Sequence, residues 1–327
     1  MRPFRFERVD DPRGATALVA DTAHSSFLGG GTNLVDLMRL GVESPVLLVD
    51  VSHLAGGDVN ETIGGGLRIG AAVPNSDLAA HPLVRERYPL LSSALLQGAS
   101  GQLRNMATAG GNLLQRTRCG YFQDVTKPCN KRQPGSGCPA LPGEHRNHAI
   151  LGWSEECVAT HPSDLAVALV ALDAVVHLEG PAGPRSLPIA GLHRLPGREP
   201  ERDTVLEHGD LIVAIELPAP VAGNWRYVKV RERAAFSFAV VSLAAALDVR
   251  DGTVRLARLA LGGVAHKPWR ALRAEAVLEG APAGEETFAR AADAELEHAR
   301  PLRDNAYKVA LARRVIVTTL HDLGSVS

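Results

Sequence analysis

The 327-residue sequence has little that would mark a membrane, exported or nucleic-acid-binding protein. Its most apolar run, Leu165 to Val176, is interrupted by Asp173 and falls short of the roughly 20 residues a membrane helix needs, so it is expected to be a buried helix. Lysine and arginine total 35 against 36 aspartates and glutamates, so no long-range field favours a polyanion. Residues Met1 to Arg8 lack the apolar core of a secretory signal, and acidic residues interrupt the pattern a transit peptide would need; no export address of the chain's own is expected. Common catalytic signatures are missing too. There is no H-E-x-x-H and no C-x4-C-x2-C iron–sulfur motif, and Gly98-Ala99-Ser100-Gly101-Gln102 fails G-x-S-x-G at its last position. No nucleophile constellation, tandem repeat or low-complexity segment stands out.

Cysteine is scarce, yet all four residues, Cys119, Cys129, Cys138 and Cys157, fall in one glycine- and proline-broken stretch, with 9, 8 and 18 residues between them. The missing C-x2-4-C knuckle disfavours structural zinc, and two disulfides suit only an oxidising compartment. Four soft thiolates on loops fit a [4Fe–4S] cluster. Arg116, Arg118, Lys127, Lys131, Arg132 and Arg146 outnumber nearby acids, and Pro134-Gly135-Ser136-Gly137-Cys138 exposes backbone amides, surroundings that suit an anionic centre. On the residues alone, cluster, zinc and disulfides all stay open.

Length predicts two or three domains. Residues 1–55 read as a small α/β unit: strand Ser26 to Leu28, a glycine turn, a helix from Leu34 to Leu40 and a strand Val46 to Asp50, with the strands parallel. A second unit, 56–218, opens on a strand near Leu67 to Ala71. It continues through helices at Asn75 to Ala80 and Leu90 to Gln97, the cysteine insert at 113–162, a helix from Leu165 to Ala174 capped by Ser163 or Asp164, and a strand Leu211 to Leu217. Pro218-Ala219-Pro220 breaks the pattern. Residues 219–327 read as a small α+β domain: a strand from Asn224, a helix from Ser237 to Ala246, a hairpin across Asp251-Gly252 and two C-terminal helices.

Two glycine sites bracket the second unit's start. Leu28-Gly29-Gly30-Gly31-Thr32-Asn33-Leu34 lies between strand and helix, where amides and bare backbone can accept a phosphate. Gly29, Gly31 and Asp50 imitate a dinucleotide fingerprint, but Leu34 stands where a third glycine is expected. Thr108-Ala109-Gly110-Gly111-Asn112 repeats the chemistry, and two such sites suit a long ligand with a pyrophosphate. An NAD-linked Rossmann dehydrogenase with structural zinc and a disulfide-stapled binding module are the competing readings.

Phe27 to Leu34, Leu103 to Arg116 and Ala260-Leu261-Gly262-Gly263-Val264-Ala265-His266-Lys267-Pro268-Trp269-Arg270 together resemble the FAD-binding subunit of the xanthine dehydrogenase family. The segments around Cys119, Cys129, Cys138 and Cys157…His161-Pro162-Ser163-Asp164 are most similar to flavin subunits of bacterial periplasmic aldehyde oxidoreductases, departing from them in Gly120, which is expected to loosen packing beside Cys119. The resemblance implies an α+β fold, with a two-part FAD-binding domain of the vanillyl-alcohol-oxidase/PCMH type and a small C-terminal α+β domain. It implies FAD held by Leu28, Gly29, Gly30, Gly31, Thr32, Asn33 and Leu34, with Thr108, Gly111 and Asn112 as a second wall. Asp164 would lie beside the ADP portion, Ile215 near the adenine and Lys229 near the flavin. It further implies a [4Fe–4S] cluster on the four cysteines, a large molybdenum-cofactor partner, a small partner with two [2Fe–2S] clusters, an external electron acceptor, and a periplasmic location reached with a partner's twin-arginine signal, with the cytoplasm as the alternative.

Overall fold

A computed structural model describes residues 1–54, 56–234 and 236–325; the expected unit end at Ala55 and the terminal Ser327 lie outside the described residues. Three sheets, each with its own apolar cluster, organise a mixed α/β fold. In the first, β1 (Arg5–Arg8), β2 (Ser25–Leu28) and β3 (Leu47–Asp50) lie parallel in the order β1-β3-β2. The helix Leu34–Arg39 returns the chain between β2 and β3, as the helix-between-strands pattern predicts. Every residue of β3 is buried, as a central parallel strand must be.

The second sheet holds β4 (Val59–Glu61), β5 (Leu67–Gly70), β6 (Val175–Gly180), β7 (Gly183–Pro188) and β8 (Leu211–Leu217), ordered β4-β5-β8-β6-β7 and antiparallel throughout. Helix Asp164–Ala171 is buried along all of its length, so its apolar run is core rather than a periodic stripe. It stops three residues earlier than expected, because Asp173 turns left-handed (φ 52°) and Ala174 leads into β6. Ser163 is its cap, with Oγ accepting from Ala166 N at 3.0 Å. Among the described residues no helix is long and apolar enough to cross a membrane.

The third sheet, β9 (Asn224–Val230), β10 (Val241–Arg250), β11 (Thr253–Gly262) and β12 (Trp269–Arg270), is antiparallel in the order β12-β11-β10-β9. Asp251-Gly252 makes the expected β10–β11 turn, both with positive φ. The helix expected over Ser237 to Ala246 is instead the approach to β10 and its first half. Leu243-Ala244-Ala245-Ala246-Leu247 has good helix formers, but β10 is buried on both faces: Ala244 joins the second unit's core, while Leu243, Ala245 and Leu247 join the C-terminal one. Small side chains let layers approach the strand from both sides, and that burial overrides local propensity. Among the described residues, three C-terminal helices follow rather than two: Leu272–Leu278, Glu285–Leu296 and Tyr307–Gly324.

Candidate functional site: a cleft between two glycine turns

The glycine turn owes its shape to two different constraints. Gly31 has φ 73°, a left-handed conformation that favours glycine. Gly30 lies so close to the other glycine site that an added Cβ would sit 1.6 Å from the Met106 carbonyl oxygen. A Cβ on Gly29 would lie 2.9 Å from Thr108 Oγ1. The two sites are thus in direct contact, which separate readings of each did not anticipate. Thr108 caps the helix Ala109–Leu113 by accepting from Gly111 N at 3.2 Å, and Ser163 Oγ donates to Asn112 Oδ1 at 2.6 Å.

A cleft of about 1640 Å³ opens along this seam, larger than the usual small-molecule pocket. Leu28 through Leu34, Thr108, Gly111, Asn112, Asp164 and Lys229 all line it, and so does Cys119. Ile215 does not: it is fully buried in β8, between Ile69 of β5 and Val176 of β6, and Ile212 of the same strand reaches the cleft instead. Among the described residues, the N–H groups of Gly30, Gly31 and Thr32 find no acceptor. Asn33 Oδ1 accepts from Arg116 N at 2.9 Å, while its buried Nδ2 has no partner. Orphaned donors in a groove with glycine backbone fit the pyrophosphate of a dinucleotide.

Asp164 and Lys229, assigned to opposite ends of the ligand by resemblance, touch each other. Lys229 Nζ donates to Asp164 Oδ2 at 2.7 Å and to the Gln97 carbonyl at 3.0 Å, with side chains 1 % and 8 % exposed. Tyr227 OH donates to Asp164 Oδ1 at 2.5 Å, and burial, reinforced by that carboxylate, pushes the phenol well above its ordinary value. Tyr227 was missed in the sequence, although its i, i+2 spacing from Lys229 puts both on one face of a strand. Asp50, the apparent dinucleotide acid, instead binds the Arg8 guanidinium at 2.7 Å and Ser52 N at 3.0 Å. With only three strands in its sheet, the Rossmann reading fails.

The insert wraps from the cleft to the C-terminal unit. Ile150 and Leu151 both donate from backbone N to the Val264 carbonyl, and Ile150 belongs to the C-terminal core. Lys131 Nζ, buried, donates to the Pro200 carbonyl at 2.6 Å and lies 2.5 Å from Asp203 Oδ1 and 2.7 Å from His266 Nε2. Arg116 also binds Asp203 at 2.8 Å and stacks on Phe122, whose burial keeps the region packed despite Gly120. Burial opposes ionisation of Asp203, but Lys131 and Arg116 outweigh it and hold the carboxyl well below the usual range.

None of the four cysteines is joined in a disulfide. Ionised Cys119 would be repelled by thiolates at Cys129 and Cys138, and ionised Cys157 by those at Cys138 and Cys119, so the insert gathers them into one neighbourhood. Among the described residues no three His, Cys, Asp or Glu side chains converge on a single-ion site. Burial pushes Cys119 up to about 11 and Cys157 up to about 12, and raises Cys138. Backbone hydrogen bonds oppose the rise: Tyr121 and Phe122 to Cys119, Val158, Ala140 and Leu141 to Cys138, and Ala159 to Cys157. Amides aimed at sulfur fit an anionic thiolate centre. His148 Nε2, 3.2 Å from Cys119 Sγ, had no signal in the sequence, being 29 residues away through irregular chain.

Behind the cleft, His161 and His193 meet edge to face at 4.3 Å, and burial lowers His193 to about 4. Its Nε2–H donates to the Leu113 carbonyl at 2.8 Å. An unfolded histidine titrates near 6.5, so below that pH the unfolded chain takes the proton first, and stability falls as pH drops toward 4. His193→Gln is expected to remove about 2 kcal/mol of the stability difference between pH 7 and pH 5. Urea denaturation at the two pH values measures it; an unchanged difference would refute the assignment.

Residues 2–220 match the family described as the FAD binding domain in molybdopterin dehydrogenase, and residues 226–323 match the CO dehydrogenase flavoprotein C-terminal domain. The chain is 50 % identical over 322 residues to the aldehyde oxidoreductase FAD-binding subunit PaoB of Escherichia coli, covering 98 % of each. It is 28 % identical to the carbon monoxide dehydrogenase medium chain of Hydrogenophaga pseudoflava, again covering 98 % of each. A solved structure of that organism's carbon monoxide dehydrogenase, lacking the Mo-pyranopterin moiety, superposes with a TM-score of 0.77 at 27 % identity, covering 98 % of this chain and 97 % of that one. With the glycine cleft and the two-domain match together, the chain belongs to the family of FAD-binding subunits of the molybdenum hydroxylases.

Proposed function

We propose that the chain is the FAD- and [4Fe–4S]-carrying electron-transfer subunit of a heterotrimeric, molybdenum-dependent aldehyde oxidoreductase. The observation that carries this reading is the position of Cys119, which lies in the wall of the FAD cleft while sharing a neighbourhood with Cys129, Cys138 and Cys157. Half-identity to an aldehyde oxidoreductase subunit supports the substrate class. The three units are taken as residues 1–55, 56–218 with the insert at 113–162, and 219–327. Aldehyde would be oxidised on a large molybdenum-cofactor partner, with electrons passing through two [2Fe–2S] clusters of a small partner to this chain and then to an external acceptor. Flavin and cluster supply the redox chemistry when bound; the chain's residues bind, orient and shield them. Export to the periplasm with a partner's twin-arginine signal completes the reading, and cell fractionation tests it.

Iron, acid-labile sulfide and flavin measured on the complex purified without oxygen test the cofactor assignment. Cys129→Ser and Cys138→Ser are each expected to lower bound iron while leaving FAD in place. Unchanged iron in both would sink the cluster, and a colourless wild-type preparation would sink the reading as a whole.

A further inference from the structure

Among the cations lining the cleft, Arg118 is the one with a buried N–H, its Nε, that has no partner among the described residues. Arg116 is held by Glu43 at 2.5 Å and Asp203 at 2.8 Å, and Lys229 by Asp164 at 2.7 Å. Arg118 has only Asp36, at 3.7 Å, beyond hydrogen-bond reach, and that carboxylate is 56 % exposed, so solvent screens the attraction. Arg118 itself is 23 % exposed, and its buried Nε has no partner among the described residues. A largely desolvated guanidinium with an unsatisfied N–H lacks an anion. One face of it lies over the Phe238 ring, 5.1 Å from the centroid. Phe238 is exposed in the connection between β9 and β10, and Ser237, Ala239 and Val240 beside it also line the cleft. Phe236 on the same segment holds φ 50°, an unusual conformation for a bulky side chain.

The choice between the FAD pyrophosphate and the flavin ring, which gains negative charge on reduction, follows from position. The glycine turn already supplies backbone donors and Asn33 Nδ2 for the pyrophosphate. Arg118 instead directly precedes Cys119, and both line the cleft wall away from the glycine turn's donors. We propose that Arg118 faces the flavin ring of bound FAD and stabilises the negative charge that the ring gains on reduction, with Phe238 holding the guanidinium in place. This rests on FAD occupying the cleft.

The test is a redox titration of the FAD-loaded full chain, purified with its partner subunits. Arg118→Met should lower the equilibrium ratio of reduced to oxidised flavin about tenfold at a given potential, a midpoint about 30 mV more negative for a two-electron couple. Arg118→Lys, which keeps the charge, should recover part of that shift. Flavin content measured on the same samples separates the two ideas. A wild-type chain without FAD overturns the reading of the cleft itself. FAD retained, or partly lost, with an unshifted midpoint in Arg118→Met overturns the role given to Arg118. Where Arg118→Met does not fold or holds no FAD, Arg118→Gln replaces it: the same downward shift of the midpoint is expected, and an unshifted midpoint overturns the proposal.

Discussion

Lys229→Met is expected to destabilise the folded chain by about 3–5 kcal/mol, because it removes the cation from a carboxylate that has almost no access to water. Asp164 would keep one hydrogen bond, from Tyr227 OH, and would face the carbonyl of Gln97 without the ammonium that now bridges them. The penalty belongs to the stranded charge rather than to the lost contact alone. Asp164→Asn in the same background should therefore recover much of it, since the amide oxygen can still accept from Tyr227 and no buried charge remains. Denaturation with urea of the wild type, both single variants and the double variant gives the coupling. A loss below about 1 kcal/mol in Lys229→Met, the range of an exposed pair, would show that the pair does not hold this part of the cleft together. FAD content should fall with stability in Lys229→Met, because β9 and the helix Asp164–Ala171 are tied across the cleft wall by this contact.

What the sequence made legible was local. The turn at Leu28 to Leu34 stood out because three glycines separate a short strand, Ser25–Leu28, from a helix, and Ser163 because a hydroxyl precedes an apolar run. The helix Asn75–Ala80 and the strand Leu211–Leu217 matched residue for residue. The failures all involve packing between distant segments. Ala-rich β10 reads as helix until the two layers that bury it are known, and Gly30 reads as a ligand contact until Met106 is seen against it. The pairing of Asp164 with Lys229, 65 residues apart, left no pattern along the chain. Tyr227, by contrast, was within reach of strand periodicity. His148 beside Cys119 was not, since an irregular loop has no period from which to project a neighbour.

Gly30 sets the largest steric demand of the cleft, and its replacement separates two roles of glycine that a sequence cannot distinguish. Gly30→Ala would place a methyl carbon 1.6 Å from the Met106 carbonyl oxygen and 2.6 Å from its carbon, both backbone atoms with no side-chain rotation to relieve them. The turn and the segment ahead of Thr108 must then move apart, taking the donors of Gly30, Gly31 and Thr32 away from the second wall. Gly31→Ala meets nothing closer than Val35 Cγ2 at 3.2 Å, and its cost is the left-handed backbone, roughly 1–2 kcal/mol. Gly30→Ala is accordingly expected to abolish FAD retention and to lower stability more than Gly31→Ala, which should keep most of its flavin. Gly30→Val adds bulk at a position already closed to a single methyl and should do no better. The flavin-to-protein ratio of each purified variant, read beside its unfolding midpoint, decides the order. Equal flavin content in Gly30→Ala and wild type would mean that the contact between the two glycine sites is not what shapes the cleft.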